Sequence, residues 1–179
     1  MNLKLFTSLL FILFSQYIIA QTPVTSGPDW TVTNLTSNYE LNYPNTIVYM
    51  PDGYLWITER MGKKVVKVSS VGGSKIEMLD LTSQVYQSVS QDGLLGMTVH
   101  PDLYADMNTN TNNYVYLVYT YDDDPGVGVS RKFRVARYTY NSGTGTLNKG
   151  SATTIIDNIT AGNDHNSGKI KIGPDLKLY

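Results

Sequence analysis

Repeated strand–turn–strand units constrain the fold of this chain more than any other feature. Each unit has two segments of alternating apolar residues joined by a Pro-Asp pair, and the pairs are Pro51-Asp52, Pro101-Asp102 and Pro174-Asp175. In the first unit "NTIVYM" and "YLWITE" flank "PDG", and "VVKVS" and "KIEML" then flank "VGGS". Alternating runs separated by glycine-containing turns predict an antiparallel four-stranded meander.

The pattern recurs in "LLGMTVHPDLY", "YVYLVYTY", "RKFRVARYTYN" and "SATTIID", and begins a third time in "GKIKIGPDLKLY". Successive β-meanders predict an all-β fold, a β-propeller with blade one at about 44–80, blade two at about 92–157 and a third beginning at 167–179. A repeating sandwich is the alternative. Helices should be minor, since no sustained 3.6-residue apolar stripe follows residue 20. Two and a half blades cannot close a propeller, so we expect a fragment with an unpaired edge and poor solubility.

The N-terminal sequence "MNLKLFTSLLFILFSQYIIAQ" predicts a signal peptide over residues 1–20. Lys4 precedes an apolar run of about 16 residues, and the small residue Ala20 suits cleavage. A membrane anchor is the alternative, but a spanning helix needs roughly 20 apolar residues. We therefore expect an exported product, periplasmic or secreted and free of the membrane after cleavage. A Pro/Gly/Ser/Thr-rich lead-in occupies 21–38 before the propeller at 39–179.

Charge and cysteine content exclude several classes of protein. The formal net charge is -1, which argues against a nucleic-acid partner because such binding needs a concentrated positive field. There are no cysteines, so disulfide-stapled folds, thiol nucleophiles and thiolate metal sites are excluded.

Propeller geometry predicts where the polar residues meet. The loop before the innermost strand of each blade should lie at the same mouth of the central channel, and two such loops together carry Gln91, Asp92, Asp164, His165 and Asn166. An amide, a carboxylate and an imidazole at a polar mouth suit a small hydroxylated ligand. An imidazole can also act as a base near neutral pH, although an ordinary surface histidine remains the alternative for His165.

Other candidate sites are weaker. His100 should lie on the opposite rim of the channel as an ordinary surface residue. The segment "DMNTNTNN" lacks the glycine and the glutamate of an EF-hand loop, which excludes that motif. The acidic turn "YDDDPGVG" is typical of a solvated loop, with weak calcium binding as the alternative. No residue of this sequence is predicted as a metal ligand.

Four segments resemble the soluble glucose and aldose dehydrogenases that depend on pyrroloquinoline quinone (PQQ). They are "PDGYLWITER", "QDGLLGMTVHPD", "RYTYN" and "DHNSGKIKIGPDLKLY", within a similarity that runs from about Tyr43 to Tyr179. The resemblance implies a six-bladed propeller with PQQ and Ca²⁺ as cofactors. It further implies an oxidoreductase that converts the anomeric hydroxyl of a glucose-like aldose to a lactone, passing hydride to PQQ and electrons to an external acceptor.

The resemblance also implies residue roles. His165 matches the base that removes the proton of the anomeric hydroxyl, while Asp164 and Gln91 match contacts to the neighbouring sugar hydroxyl. Gln91 and His165 also match residues that border the cofactor. Departures from the family pattern are Asn166 for Gln, Lys169 for Arg and Asp92 for Asn.

Most PQQ and calcium ligands are expected beyond Tyr179, so we expect this chain alone to be inactive. The sequence leaves open which sugar is oxidised and whether the protein forms a homodimer. The alternative function is a non-catalytic extracellular propeller that binds carbohydrate or protein at the channel mouth.

Overall fold

The computed structural model describes residues 26–27, 30–32, 35, 41–88, 91–126 and 128–179. The predicted signal peptide, residues 1–20, lies outside the described residues, as does most of the lead-in. The chain divides into two units, Met1–Thr33 and Asn34–Tyr179. In the first unit the two-residue strands β1 (Ser26–Gly27) and β2 (Trp30–Thr31) pair antiparallel.

The second unit begins with a four-stranded antiparallel sheet in which each strand pairs with the next in sequence. Its strands are β3 (Pro44–Tyr49), β4 (Tyr54–Glu59), β5 (Lys64–Ser69) and β6 (Ile76–Asp80). Gly53 has φ 81° between β3 and β4, and Gly72 has φ 90° between β5 and β6. These turns require left-handed backbone, which glycine adopts without steric cost. The meander predicted from the sequence is confirmed.

A second four-stranded antiparallel sheet follows, again with sequential pairing. Its strands are β7 (Leu94–Val99), β8 (Tyr114–Asp122), β9 (Arg131–Asn141) and β10 (Thr146–Thr160). Strand β10 is longer than the predicted segment "SATTIID", because pairing with β9 begins at Thr146. Three register shifts interrupt that pairing, which lets a mostly polar segment follow the twist of its neighbour.

The three Pro-Asp pairs do not all form the turns that the sequence predicts. Pro51-Asp52 lies in the β3–β4 turn and Pro174-Asp175 in a turn near the C-terminus. Pro101-Asp102, however, begins the helix α1 (Pro101–Ala105), with His100 as N-cap. The prediction of a tight turn there was wrong, because proline also suits the first turn of a helix. This five-residue helix is the one α-helix in the described ranges, as the absence of helical periodicity predicts.

The core joins the two sheets of the second unit. Strand β7 is buried along its whole length, and it lies beside β3 and β4 while pairing with β8. Its continuous apolar sequence fits burial on both faces. Fully buried side chains around it include Trp56, Leu117 and Tyr138. Each large apolar side chain so buried contributes about 1.5–3 kcal/mol to folding.

The beginning of a third meander follows the second sheet. The backbone groups of Lys171 and Tyr179 exchange two hydrogen bonds of 2.9 Å, and Ile172 pairs with Leu178 in an antiparallel bridge. Two successive meanders and the beginning of a third are the arrangement of neighbouring blades in a β-propeller. Among the residues described, no helix combines the length and the apolar character that a membrane crossing requires.

Candidate active site

Gln91 connects the two loops that the sequence predicts to converge. The Gln91 backbone N–H donates to the carbonyl oxygen of Asn163 over 2.8 Å. The His165 backbone N–H donates to the side-chain Oε1 of Gln91, also over 2.8 Å. Gln91, which lies before β7, therefore binds the backbone at two positions, Asn163 and His165, in the loop that follows β10. Gln91, Asp164 and His165 are all exposed to solvent.

The loop that carries His165 is closed by the amide side chain of Asn166, a residue of the same loop. Asn166 donates from Nδ2 to the carbonyl oxygen of Gly162 over 2.7 Å, and its Oδ1 accepts from the Gly162 backbone N–H over 3.2 Å. The side chain thus satisfies both backbone groups of Gly162, and its burial fits that structural task. Asn166 lines the same cleft as His165, as expected of a residue near the mouth, but both polar ends of its side chain are bound within the loop.

His165 has an unusual backbone conformation. Its φ is 55°, in the left-handed region that costs most non-glycine residues about 1–2 kcal/mol. The hydrogen bond to Gln91 and the Asn166–Gly162 closure offset this cost by fixing the loop on either side. The loop therefore fixes the backbone position of His165, from which the exposed imidazole side chain extends.

The imidazole of His165 lines a cleft of about 270 Å³. One wall is apolar and comes from Val118 of β8, Val135 of β9 and Ile159 of β10. The other wall is the segment 165–170, which contributes Lys169. A cleft of this size, with one apolar wall and a few polar groups, suits part of a small ligand.

Asp92 does not lie at the polar mouth. Its side chain is fully buried, and its Oδ2 lies 2.9 Å from Nε of Arg131 in an ion pair. Its Oδ1 accepts from both the backbone N–H and the hydroxyl of Ser88, each over 2.8 Å. The Arg131 guanidinium also lies over the ring of Tyr86, 5.2 Å from its centroid.

The expectation that Asp92 faces a ligand was therefore wrong. A carboxylate can be buried here because it has a cationic partner and hydrogen-bond donors. The sequence carries no signal for the pair, since Arg131 lies 39 positions away. Asp92 anchors the backbone next to Gln91 instead.

His100 is buried and has a structural role, so the prediction of an ordinary surface residue was wrong. Its Nδ1 accepts from the Asp102 backbone N–H over 3.1 Å and caps α1. In the acidic turn, Asp122 accepts from the backbone N–H groups of Ser130 and Asp124 over 2.9 and 3.3 Å. Across the described part of the chain, no three His, Cys, Asp or Glu side chains are grouped closely enough to hold a metal ion.

Comparisons with known proteins agree with this fold. The family model "Glucose / Sorbosone dehydrogenase" matches residues 41–179. Quinoprotein glucose dehydrogenase B from Acinetobacter calcoaceticus is 32% identical over 139 residues, which make up 78% of this chain and 28% of that protein. The resemblance stated from the sequence is confirmed.

Solved structures show the same fold. The PQQ-bound aldose sugar dehydrogenase from Streptomyces coelicolor matches with a TM-score of 0.60 and 26% identity, over 78% of this chain and 37% of that one. A calcium structure of the Trichoderma reesei carbohydrate-active enzyme of family AA12 matches with a TM-score of 0.50 and 19% identity, over 76% and 28% of the two chains. The second likeness concerns the fold alone. The chain thus spans about a third of the length of these proteins.

Proposed function

The chain belongs to the glucose/sorbosone dehydrogenase family, and on that premise we propose that the full-length gene product oxidises a glucose-like aldose with PQQ as hydride acceptor. His165 would take the proton of the anomeric O–H as the C1–H bond breaks, and the hydride from C1 would go to bound PQQ. A C1=O bond forms, so the product is the lactone. An external acceptor then takes the electrons.

One observation carries the proposal: the hydrogen bond that joins Gln91 to the backbone of His165. Gln91 and His165 come from different parts of the sequence, yet the fold places them in direct contact at an exposed cleft. Asp164 lies between Asn163 and His165, both of which Gln91 binds. We assign Gln91 and Asp164 to the sugar hydroxyl next to the anomeric carbon, and His165 to the anomeric hydroxyl.

The imidazole of His165 suits the removal of a proton. A ring nitrogen of histidine can accept a proton in general acid–base catalysis. The backbone hydrogen bond fixes the Cα of His165 without occupying a ring nitrogen, so the ring remains available to a hydroxyl. Holding base and substrate together lowers the entropic part of the barrier.

The described residues fit one edge of PQQ, a quinone with three carboxylates. Gln91 offers the donor Nε2 of its amide, since its Oε1 already accepts from His165. Lys169 adds a cation to the cleft that His165 lines. Bound PQQ would supply the hydride acceptor. Gln91, His165 and Lys169 would border it.

The described residues do not fit a calcium site, since no group of three acidic or histidine side chains is close enough among them. Ca²⁺ is nevertheless part of the proposed cofactor set. We expect the 179-residue chain alone to show no turnover, because it spans only 28% and 37% of the two dehydrogenases it matches. Export with cleavage after Ala20 is also proposed, and N-terminal sequencing of the secreted product tests it.

The test is reduction of an artificial electron-acceptor dye by the full-length gene product in the presence of glucose. Turnover should require added PQQ and should be supported by Ca²⁺. Glucose should be replaceable by other aldoses but not by sorbitol, which has no anomeric hydroxyl. If PQQ and Ca²⁺ produce no aldose-dependent turnover while the sugar still binds, the non-catalytic carbohydrate-binding propeller is the correct function.

A further inference from the structure

A second cleft, of about 380 Å³, lies where strands β3 and β7 meet the segment 167–171. The polar side chains that line it are Asn45, Thr46, Ser167, Lys169 and Lys171. None of the described residues lining it is acidic. The cleft therefore combines two cations with hydroxyl and amide groups and has no internal counter-charge.

Unlike three other lysines of the second unit, Lys169 and Lys171 have no acidic partner among the described residues. Lys64 pairs with Glu77, Lys75 with Glu59 and Lys177 with Asp175. No ion pair among the described residues includes Lys169 or Lys171. Both side chains are exposed to solvent. Like charges held near one another repel, and an anion between them would relieve that repulsion.

Both cations lie on one short segment, two residues apart, and both line the cleft. Two backbone hydrogen bonds of 2.9 Å to Tyr179 fix the backbone of Lys171. An oxyanion in the cleft would therefore be close to two cationic side chains.

Hydrogen-bond donors complete the site. Oδ1 of Asn45 accepts from the Thr46 hydroxyl over 3.4 Å. The Nδ2 group of Asn45 is then the end of the amide that can donate to an anion. The Ser167 hydroxyl also lines the cleft and can donate.

We propose that this cleft binds a small oxyanion with two or more negative charges, a polycarboxylate or a phosphate, between Lys169 and Lys171. Binding at this site does not require the proposed sugar oxidation, although the site shares Lys169 with the edge proposed for PQQ. It adjoins the His165 cleft, because Ser167 and Lys169 line both. The anion has two possible sources, the carboxylates of PQQ or a separate small anion.

The test is isothermal titration calorimetry of the full-length gene product with citrate, inorganic phosphate and PQQ in turn, at constant ionic strength. The variants are Lys169→Gln, Lys171→Gln and the double substitution. Lys177→Gln is the matched control, since that exposed lysine lies on the same C-terminal segment but already pairs with Asp175 at 3.3 Å. Lys169→Arg with Lys171→Arg retains both charges. Circular dichroism verifies that each variant is folded.

We expect the double Gln variant to bind citrate or phosphate at least tenfold more weakly than the unmodified protein, with the Lys177→Gln and double Arg variants within about twofold of it. A parallel loss of PQQ affinity would identify the cofactor as the source of the anion. Unchanged PQQ affinity would identify a separate ligand. Equal affinities in the double Gln and Lys177→Gln variants, or no binding of any of the three anions, would overturn the proposal. None of these binding measurements depends on catalytic turnover.

Discussion

The backbone N–H of His165 donates to Oε1 of Gln91 over 2.8 Å, although the two residues are 74 positions apart in sequence. This bond joins the loop before β7 to the loop after β10. It also supports a residue whose φ is 55°. Gln91 therefore determines where the backbone of His165 lies relative to the cleft.

Removing the Gln91 side chain should displace His165. We expect Gln91→Ala to lower kcat of the full-length gene product by about tenfold, which corresponds to loss of roughly one hydrogen bond. Gln91→Glu retains an acceptor and should keep the His165 amide protected. Steady-state kinetics and hydrogen exchange at the His165 amide measure the two effects. A Gln91→Ala protein with normal protection of that amide would contradict the proposed contact.

The buried Asp92–Arg131 pair should be important for stability. Asp92→Ala leaves Arg131, whose side chain is only 23% exposed, without its carboxylate. We expect a loss of about 3 kcal/mol in the free energy of unfolding, the lower end of the range for broken buried pairs, since Arg131 retains some contact with water. Urea unfolding measures it. Asp124→Ala, at an exposed position in the acidic turn, is the control and should change stability by less than about 0.5 kcal/mol.

The Arg134–Asp157 pair should make stability depend on pH. Two hydrogen bonds, of 3.2 and 2.7 Å, join the guanidinium to the carboxylate. The hydrogen bond from Arg134 lowers the pKa of Asp157 below its ordinary value. Because the folded pKa lies below the unfolded value of about 3.9, the stabilisation is complete above that value and is lost as pH falls through the folded pKa.

The expected magnitude is modest, because Asp157 is partly exposed. Asp157→Asn should reduce the free energy of unfolding by about 0.5–1 kcal/mol at pH 7. The difference from the unmodified protein should shrink as the pH is lowered below about 4. Urea titrations of both proteins at several pH values measure this. A difference that stays constant down to pH 2 would exclude the carboxylate charge as its cause.

Gly96 and Gly168 bring β7 against the segment that follows His165. A Cβ added to Gly96 would overlap the carbonyl oxygen of Gly168. We therefore expect Gly96→Ala to destabilise the fold by about 1–3 kcal/mol, the usual cost of overpacking. Thermal unfolding checks this. Gly126→Ala is the control, since no atom lies within 4 Å of a Cβ at that position.

Much of the fold could be predicted because the signals are local. Strands β3 to β6 each have their own apolar alternation, and glycines mark two of the turns between them. The beginning of β10 could not be predicted, since residues 146–148, which contain one apolar residue, become a strand through pairing with β9. The helix at Pro101 was missed because proline begins helices as readily as turns.

The candidate site was predictable only in part. The contact between the loops of Gln91 and His165 follows from the repetition of blades. The burial of Asp92 does not, because it depends on Arg131, 39 positions away. The closure of the loop by Asn166 depends on backbone geometry that residue types alone do not specify.

The most direct test of the account is the kcat of the His165→Ala variant of the full-length gene product, loaded with PQQ and Ca²⁺ and assayed with glucose. PQQ affinity, measured separately, verifies that the cofactor still binds. The account predicts that kcat falls by roughly 10²–10⁴, the usual contribution of a general base. A variant that binds PQQ and turns over glucose at the unmodified rate would contradict the assignment of His165 as the base.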